Sequence, residues 1–141
     1  KMASGAVATF EASRLSTGCK NANRLEIHGE KGAIRFNFER MNELDWYDAT
    51  LPAELQGWNT INVTDGNANH PYAASWWPAA HILGYEHSFI NQAADMLTVI
   101  SGGEPVVPLA DFADAYEVQK VLSAVVESDK QRSPVPLDQI Q

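Results

Sequence analysis

Cysteine is nearly absent. Cys19 stands alone among 141 residues, so no disulfide can form within the chain. That fits a reducing, cytoplasmic setting. Cys19 lies in the polar run Ser16-Thr17-Gly18-Cys19-Lys20-Asn21, with no histidine or acid beside it. It reads as a passive surface thiol. Positive charge is also scarce. Ten Lys and Arg face eighteen Asp and Glu, a net charge of −8. Phosphate backbones need a concentrated basic face, so nucleic acid is not an expected partner. No apolar run reaches the ~20 residues of a bilayer span, and no charged-then-apolar leader is read at the start. A membrane role is not expected. The Gly-x-Gly-x-x-Gly turn of dinucleotide binding is missing, as is a lysine phosphate loop. No nucleotide cofactor is expected to bind this chain alone. His28, His70, His81 and His87 form no His-Glu-x-x-His, and no cysteine pair exists, so no metal site is expected. Ser75, Ser88 and Ser101 lack the Gly-x-Ser-x-Gly elbow of a serine nucleophile.

What is present reads as strands first and helices second, an α+β order within one domain over residues 1–141. The expected architecture is an open, mostly antiparallel sheet with two helices packed on one face. Ala6 to Arg14 alternates and predicts a strand. Residues 24–39 predict a hairpin: Leu25 and Ile27 share a face, Gly29-Glu30-Lys31-Gly32 turns, and Ile34, Phe36 and Phe38 alternate with Arg35, Asn37 and Glu39. The glycines are expected to supply positive φ. Leu44 and Trp46 suggest a further strand, and Trp58 to Thr64 another. Residues 65–80 hold two prolines and several turn formers, which predicts an irregular loop. A helix is expected from about His81 to Ser101, with Leu83, Ile90 and Leu97 along one stripe and Gly102-Gly103 ending it. A second starts near Asp111, an N-cap with Asp114 three residues on, and ends near Ser128. Ala115, Val118, Leu122 and Val125 are its expected buried stripe. Pro134 to Leu137 reads as extended.

The densest set of chemically capable side chains runs from His70 to His87. Tyr72, Trp76 and Trp77 offer flat apolar faces with polar tips. Such residues suit sugar rings, whose C–H faces are edged by hydroxyls. His81 and Tyr85, four apart, are expected to share a helix face. The plainer reading makes the tryptophans core covers and the histidines surface groups. Arg14, with Asn21, Asn23 and Arg24, forms a second polar group where a strand is expected to end. Its plainer reading is a solvated loop.

The segments "GAVATFEASR", "GEKGAIRFNFERMNEL", "HPYAASWWPAAHILGYEHSFIN" and "PLADFADAYEVQKVLSAVVES" stand in one order. In that order the chain resembles the C-terminal domain of the Gfo/Idh/MocA oxidoreductases over about Gly5 to Val135. Trp76-Trp77-Pro78 and Gly84-Tyr85-Glu86-His87 are similar to a sugar-oxidising subgroup, the levoglucosan and glycoside 3-dehydrogenases. The resemblance implies an open sheet with helices on one side, and homo-oligomers formed through that sheet. It implies a sugar or polyol substrate held against an N-terminal Rossmann domain that carries NAD or NADP. It also implies oxidation of a secondary hydroxyl to a ketone. The family's Glu-Lys-Pro and Asp-x-x-x-His motifs are absent from these residues, as is the first sheet strand. The implied reading is therefore a fragment with no catalytic residue of its own, inactive alone. His70, Tyr72, Trp77, His81, Tyr85 and Arg14 are the expected substrate contacts. The alternative is a stand-alone, non-catalytic ligand-binding or dimerisation module.

Overall fold

Four consecutive strands pair antiparallel in chain order: β1 Arg24–Gly29, β2 Gly32–Asn37, β3 Glu43–Asp48 and β4 Trp58–Asn62. With two helices that follow, they make an open-sheet α+β fold. The structure is a computed structural model and describes residues 2–65 and 70–140. The chain divides into two compact units, Lys1–Leu83 and Gly84–Gln141.

The expected hairpin is present, with Leu25 opposite Phe36 and Ile27 opposite Ile34. Its turn is built differently from the expectation. Neither Gly29 nor Gly32 has positive φ, and neither do Glu30 and Lys31 between them. Gly32 is needed for a close approach instead: a Cβ there would overlap the carbonyl oxygen of Tyr47 on β3. β2 also stops before Phe38. The Asn37 side chain accepts from Glu39 N at 3.1 Å and starts a 3-10 turn over Phe38–Arg40.

Side chains alternate across a strand, so the register assigns the faces. Leu25, Phe36, Leu44 and Ile61 form one row, and Ile27, Ile34 and Trp46 the next, all on one face. The opposite face carries the row Glu26, Arg35, Asp45, Thr60, with Tyr47 beside Trp58. The apolar face is only half-covered: Leu25 is 53% and Ile27 49% exposed.

The strand expected over Ala6–Arg14 does not form. The segment is open, with Phe10 84% exposed, and its backbone from Val7 to Arg14 pairs with no described residue. Alternation gives a segment two faces, but a strand needs a neighbour for its N–H and C=O groups.

β4 ends at Asn62, two residues before the expected end, because the Asn62 side chain turns the chain. Its Oδ1 accepts from Thr64 N at 3.0 Å and from Thr64 Oγ1 at 2.7 Å. Thr64 is buried, and its carbonyl accepts from Ala80 N at 3.0 Å. The irregular stretch expected over 65–80 thus leaves and returns at one place. Its part at 66–69 lies outside the described residues; Ala73–Ser75 is a 3-10 turn. Asn42, between β2 and β3, fixes the exit. Its carbonyl accepts from Val63 N at 2.9 Å. Its side chain grips both backbone groups of buried Leu83: Nδ2 donates to the carbonyl at 2.9 Å and Oδ1 accepts the N–H at 2.8 Å.

In the second unit, α1 spans Tyr85–Ile100 and α2 Phe112–Gln131. α1 begins at Tyr85, not His81. Ala80 has left-handed φ of 65°, Gly84 is an extended N-cap, and His87 Nδ1 accepts from Gly84 N at 3.0 Å. His81 and Tyr85 therefore do not share a helix face. Gly102, with φ of 83°, ends the helix as expected. The expected stripes are not buried: Ile90, Leu97, Val118, Leu122 and Val125 are all more than half exposed. The buried residue of α1 is Asp95, whose Oδ1 accepts from Val106 N at 2.9 Å. The α2 start agrees with expectation. Asp111 Oδ1 accepts from Ala113 N and Asp114 N, and Asp114 returns a bond to Asp111 N. α2 runs on to Gln131 because Arg132 takes the left-handed position, and Ser128 Oγ bonds the Ser133 carbonyl. Among the described residues no helix is long and apolar enough to cross a membrane.

Two outcomes follow from these caps and clamps. Asn42→Ala removes both bonds to Leu83 and strands its amide, so urea unfolding should show a loss of about 1–3 kcal/mol. Asp111→Ala should cost about 1 kcal/mol by the same measurement, with the loss of protection in hydrogen exchange concentrated in the first turn of α2.

Candidate functional site

The loop between Thr64 and Leu83 carries most of the residues singled out by the sequence. Its two ends are held by the Thr64–Ala80 bond and the Asn42 clamp. Within it, His70 acts as a backbone cap. Its Nδ1 accepts from Tyr72 N at 3.3 Å and from Ala73 N at 3.2 Å. The His70 and Tyr72 rings meet edge-on with centroids 6.2 Å apart. Ala73 is buried beneath this turn, and Ser75 N and Trp76 N bond back to the Tyr72 and Ala73 carbonyls. Trp77 stands 53% exposed. Pro78 then forces the chain into a second tight turn. His81 N bonds the Pro78 carbonyl at 3.2 Å. The His81 ring folds back, with Nδ1 3.0 Å from the Pro78 carbonyl and 3.2 Å from the Ala79 carbonyl.

The loop therefore brings His70 and Tyr72 into contact and holds Trp77 and His81 on the same short segment. Two polar-tipped rings and two imidazoles on a pinned loop give what a hydroxylated ring needs, apolar contact plus hydrogen bonds.

The remaining two expected contacts lie elsewhere in the chain. Tyr85 opens α1 in the second unit, 56% exposed, with its ring edge-on to Phe89 at 4.9 Å. Arg14 lines a shallow cleft of about 410 Å³ with Asn23 and Arg24, and a second with Asn21 and Cys19. Arg14 thus shares one lining with Asn23 and Arg24 and another with Asn21, and neither includes the loop residues.

One feature escaped the sequence reading. On the polar sheet face the Arg35 guanidinium lies 3.5 Å from the centre of the Trp58 ring and its Nε bonds Glu26 at 3.1 Å. Tyr47 tilts against the same Trp58 at 5.6 Å, and Thr60 donates to Asp45 at 2.8 Å. Beside this cluster runs an open cleft of about 680 Å³, lined by Glu11, Arg24, Glu26, Arg35 and Asp45 among others. Arg35 and Trp58 belong to different strands, and only the register across β3 brings them together.

The resolved electrostatic shifts lie outside the loop. The Thr50 hydroxyl, then its backbone N–H, holds the Asp48 carboxyl below its ordinary value, and Lys130 does the same for Glu127. Among the described residues no three His, Cys, Asp or Glu side chains converge for a metal.

Comparison with known proteins identifies the family of the chain. The family model described as the C-terminal alpha/beta domain of the oxidoreductase family matches residues 1–137. Levoglucosan dehydrogenase of Pseudarthrobacter phenanthrenivorans is 38% identical over 141 residues, covering 99% of this chain and 35% of that protein. An oxidoreductase domain protein from Kribbella flavida superposes with TM-score 0.77 at 47% identity, over 86% of this chain and 30% of its own. A levoglucosan dehydrogenase solved with NADH and levoglucosan superposes with TM-score 0.82 at 36% identity, over 94% and 35%. The chain spans about a third of the length of these relatives. It belongs to the Gfo/Idh/MocA oxidoreductase family, of which it forms the C-terminal α/β domain.

Proposed function

We propose that this chain is the substrate-facing and oligomerising part of an NAD-dependent sugar dehydrogenase that oxidises a secondary hydroxyl to a ketone. The observation that carries the reading is the pinned loop with Tyr72, Trp77, His70 and His81, in a chain 38% identical to a levoglucosan dehydrogenase. Bound NAD+ would accept the hydride from the carbinol carbon. This chain's own share is binding. Its aromatic faces lie against the C–H face of the sugar, and its imidazoles hold hydroxyls. The general base that takes the hydroxyl proton and the site for the dinucleotide belong to an N-terminal Rossmann partner domain. A cytoplasmic setting is part of this reading, on the evidence of a chain with one exposed thiol.

Tyr85 and Arg14 enter the proposal as separate contacts, each tested by its own variant. The polar sheet face enters as the subunit contact. A part-exposed Arg35 stacked on Trp58 and bonded to Glu26 gives an oriented, charged anchor of the type found at interfaces.

The decisive comparison titrates NAD+ and NADP+ into this chain and into a protein extended at its N-terminus. Binding and sugar-dependent NADH formation are expected only in the longer protein. Tight binding of dinucleotide by this chain alone overturns the division of labour. Absence of turnover in the longer protein favours a non-catalytic module.

In that longer protein, His81→Ala, Trp77→Ala and Tyr85→Ala should each lower kcat/KM for the sugar by roughly tenfold, a loss of ~1.4 kcal/mol in transition-state binding. Unchanged kinetics in a given variant removes that residue from the site. Arg35→Glu places like charge beside Glu26, so sedimentation velocity should show a shift from dimer to monomer. An unaltered distribution excludes this face as the contact.

A further inference from the structure

The two imidazoles of the loop are held by the backbone in opposite senses. His70 Nδ1 sits between two amide donors, Tyr72 N at 3.3 Å and Ala73 N at 3.2 Å. An atom receiving two N–H groups must present a lone pair, so the ring proton of neutral His70 lies on Nε2. His81 Nδ1 sits between two acceptors, the Pro78 carbonyl at 3.0 Å and the Ala79 carbonyl at 3.2 Å. Two carbonyl lone pairs facing a third would repel, so Nδ1 of His81 carries a proton, and in the neutral ring its Nε2 is the bare nitrogen. Among the described residues no partner is recorded for Nε2 of either ring.

We propose that these opposed tautomers make the loop a paired recognition element for a hydroxylated ligand: His70 Nε2–H is the donor and His81 Nε2 the acceptor. The inference rests on the sugar-binding reading above and deepens it. A hydroxyl both donates and accepts, so a polyol satisfies both rings. An ether or a ketone only accepts, and leaves His81 without a proton to receive. His81 is thereby the residue of the pair that separates an alcohol from its oxidised product.

The left-handed Ala80 is part of the device. A non-glycine residue at φ of 65° is strained, because its Cβ crowds the following carbonyl oxygen. It persists here because Ala80 N bonds Thr64 and the following ring is tied to two carbonyls. The strain turns the chain between Ala79 and His81, so that the ring can face back onto the carbonyls that precede it.

The test is a histidine ring nitrogen–proton correlation spectrum of this chain at mildly alkaline pH. His70→Gln and His81→Gln variants assign the signals. The expected pattern is Nε2–H for His70 and Nδ1–H for His81, the form disfavoured in free histidine. Nε2–H on both rings overturns the proposal. Levoglucosan added to the same sample should then move the Nε2 signals of both rings. The expected tautomers with neither signal moved would overturn the recognition role. These readouts need no turnover. A failure of NAD+ reduction in the longer protein therefore counts against the dehydrogenase reading alone and is distinguishable from a failure here.

Discussion

The carboxamide of Asn42 joins the two halves of the first unit. A single side chain satisfies both backbone groups of Leu83, while the main-chain carbonyl of Asn42 accepts from Val63 N beyond the end of β4. An irregular loop cannot bond to itself as a helix does, so its buried amides and carbonyls need partners from elsewhere. Asn42 supplies them at the exit and Thr64 at the entrance. A long loop with two fixed ends samples far fewer conformations than a free one. Within it each imidazole is held locally, by carbonyls or amides two or three residues away.

The sheet divides its two faces by chemistry. One carries Leu25, Ile27, Ile34, Phe36, Leu44, Trp46 and Ile61, the other Glu26, Arg35, Asp45 and Thr60. The polar face is not simply a wet surface. Arg35 is fixed by Glu26 on one side and by the Trp58 ring on the other. Its planar cation therefore has a preset direction. The polar cleft beside it is open and charged in both signs, unlike the aromatic loop.

Strong local signals in the sequence survived in the structure. The hairpin was legible because alternation on both sides of a short turn leaves one pairing. The α2 start was legible because Asp111 and Asp114 cap each other. The failures share a cause, which is that the deciding partner lies far along the chain. Gly32 looked like a residue chosen for positive φ, whereas its constraint comes from Tyr47 on the next strand. The helix over His81–Ser101 was read four residues too early at its start because nothing local announces that Ala80 is left-handed. The alternation of Ala6–Arg14 was real, but no described residue pairs with it. Of the run from His70 to His87 that stands out in the sequence, the structure brings the His70 and Tyr72 rings together and places Tyr85 to His87 in the second unit. The bonds that hold the two loop imidazoles are not legible in the sequence, because they come from carbonyls and amides that composition does not reveal.

The pinning of the loop at Thr64 and Leu83 has a consequence for how the molecule can be watched. Both anchors belong to the sheet or its connections, so the two ends of the loop stay fixed only while β2, β3 and β4 stay paired. Unfolding of the first unit frees Nδ1 of both rings, and each reverts to the tautomer mixture of an unfolded chain. The ring protons of His70 and His81 are thus a spectroscopic reporter of the folded turns around them.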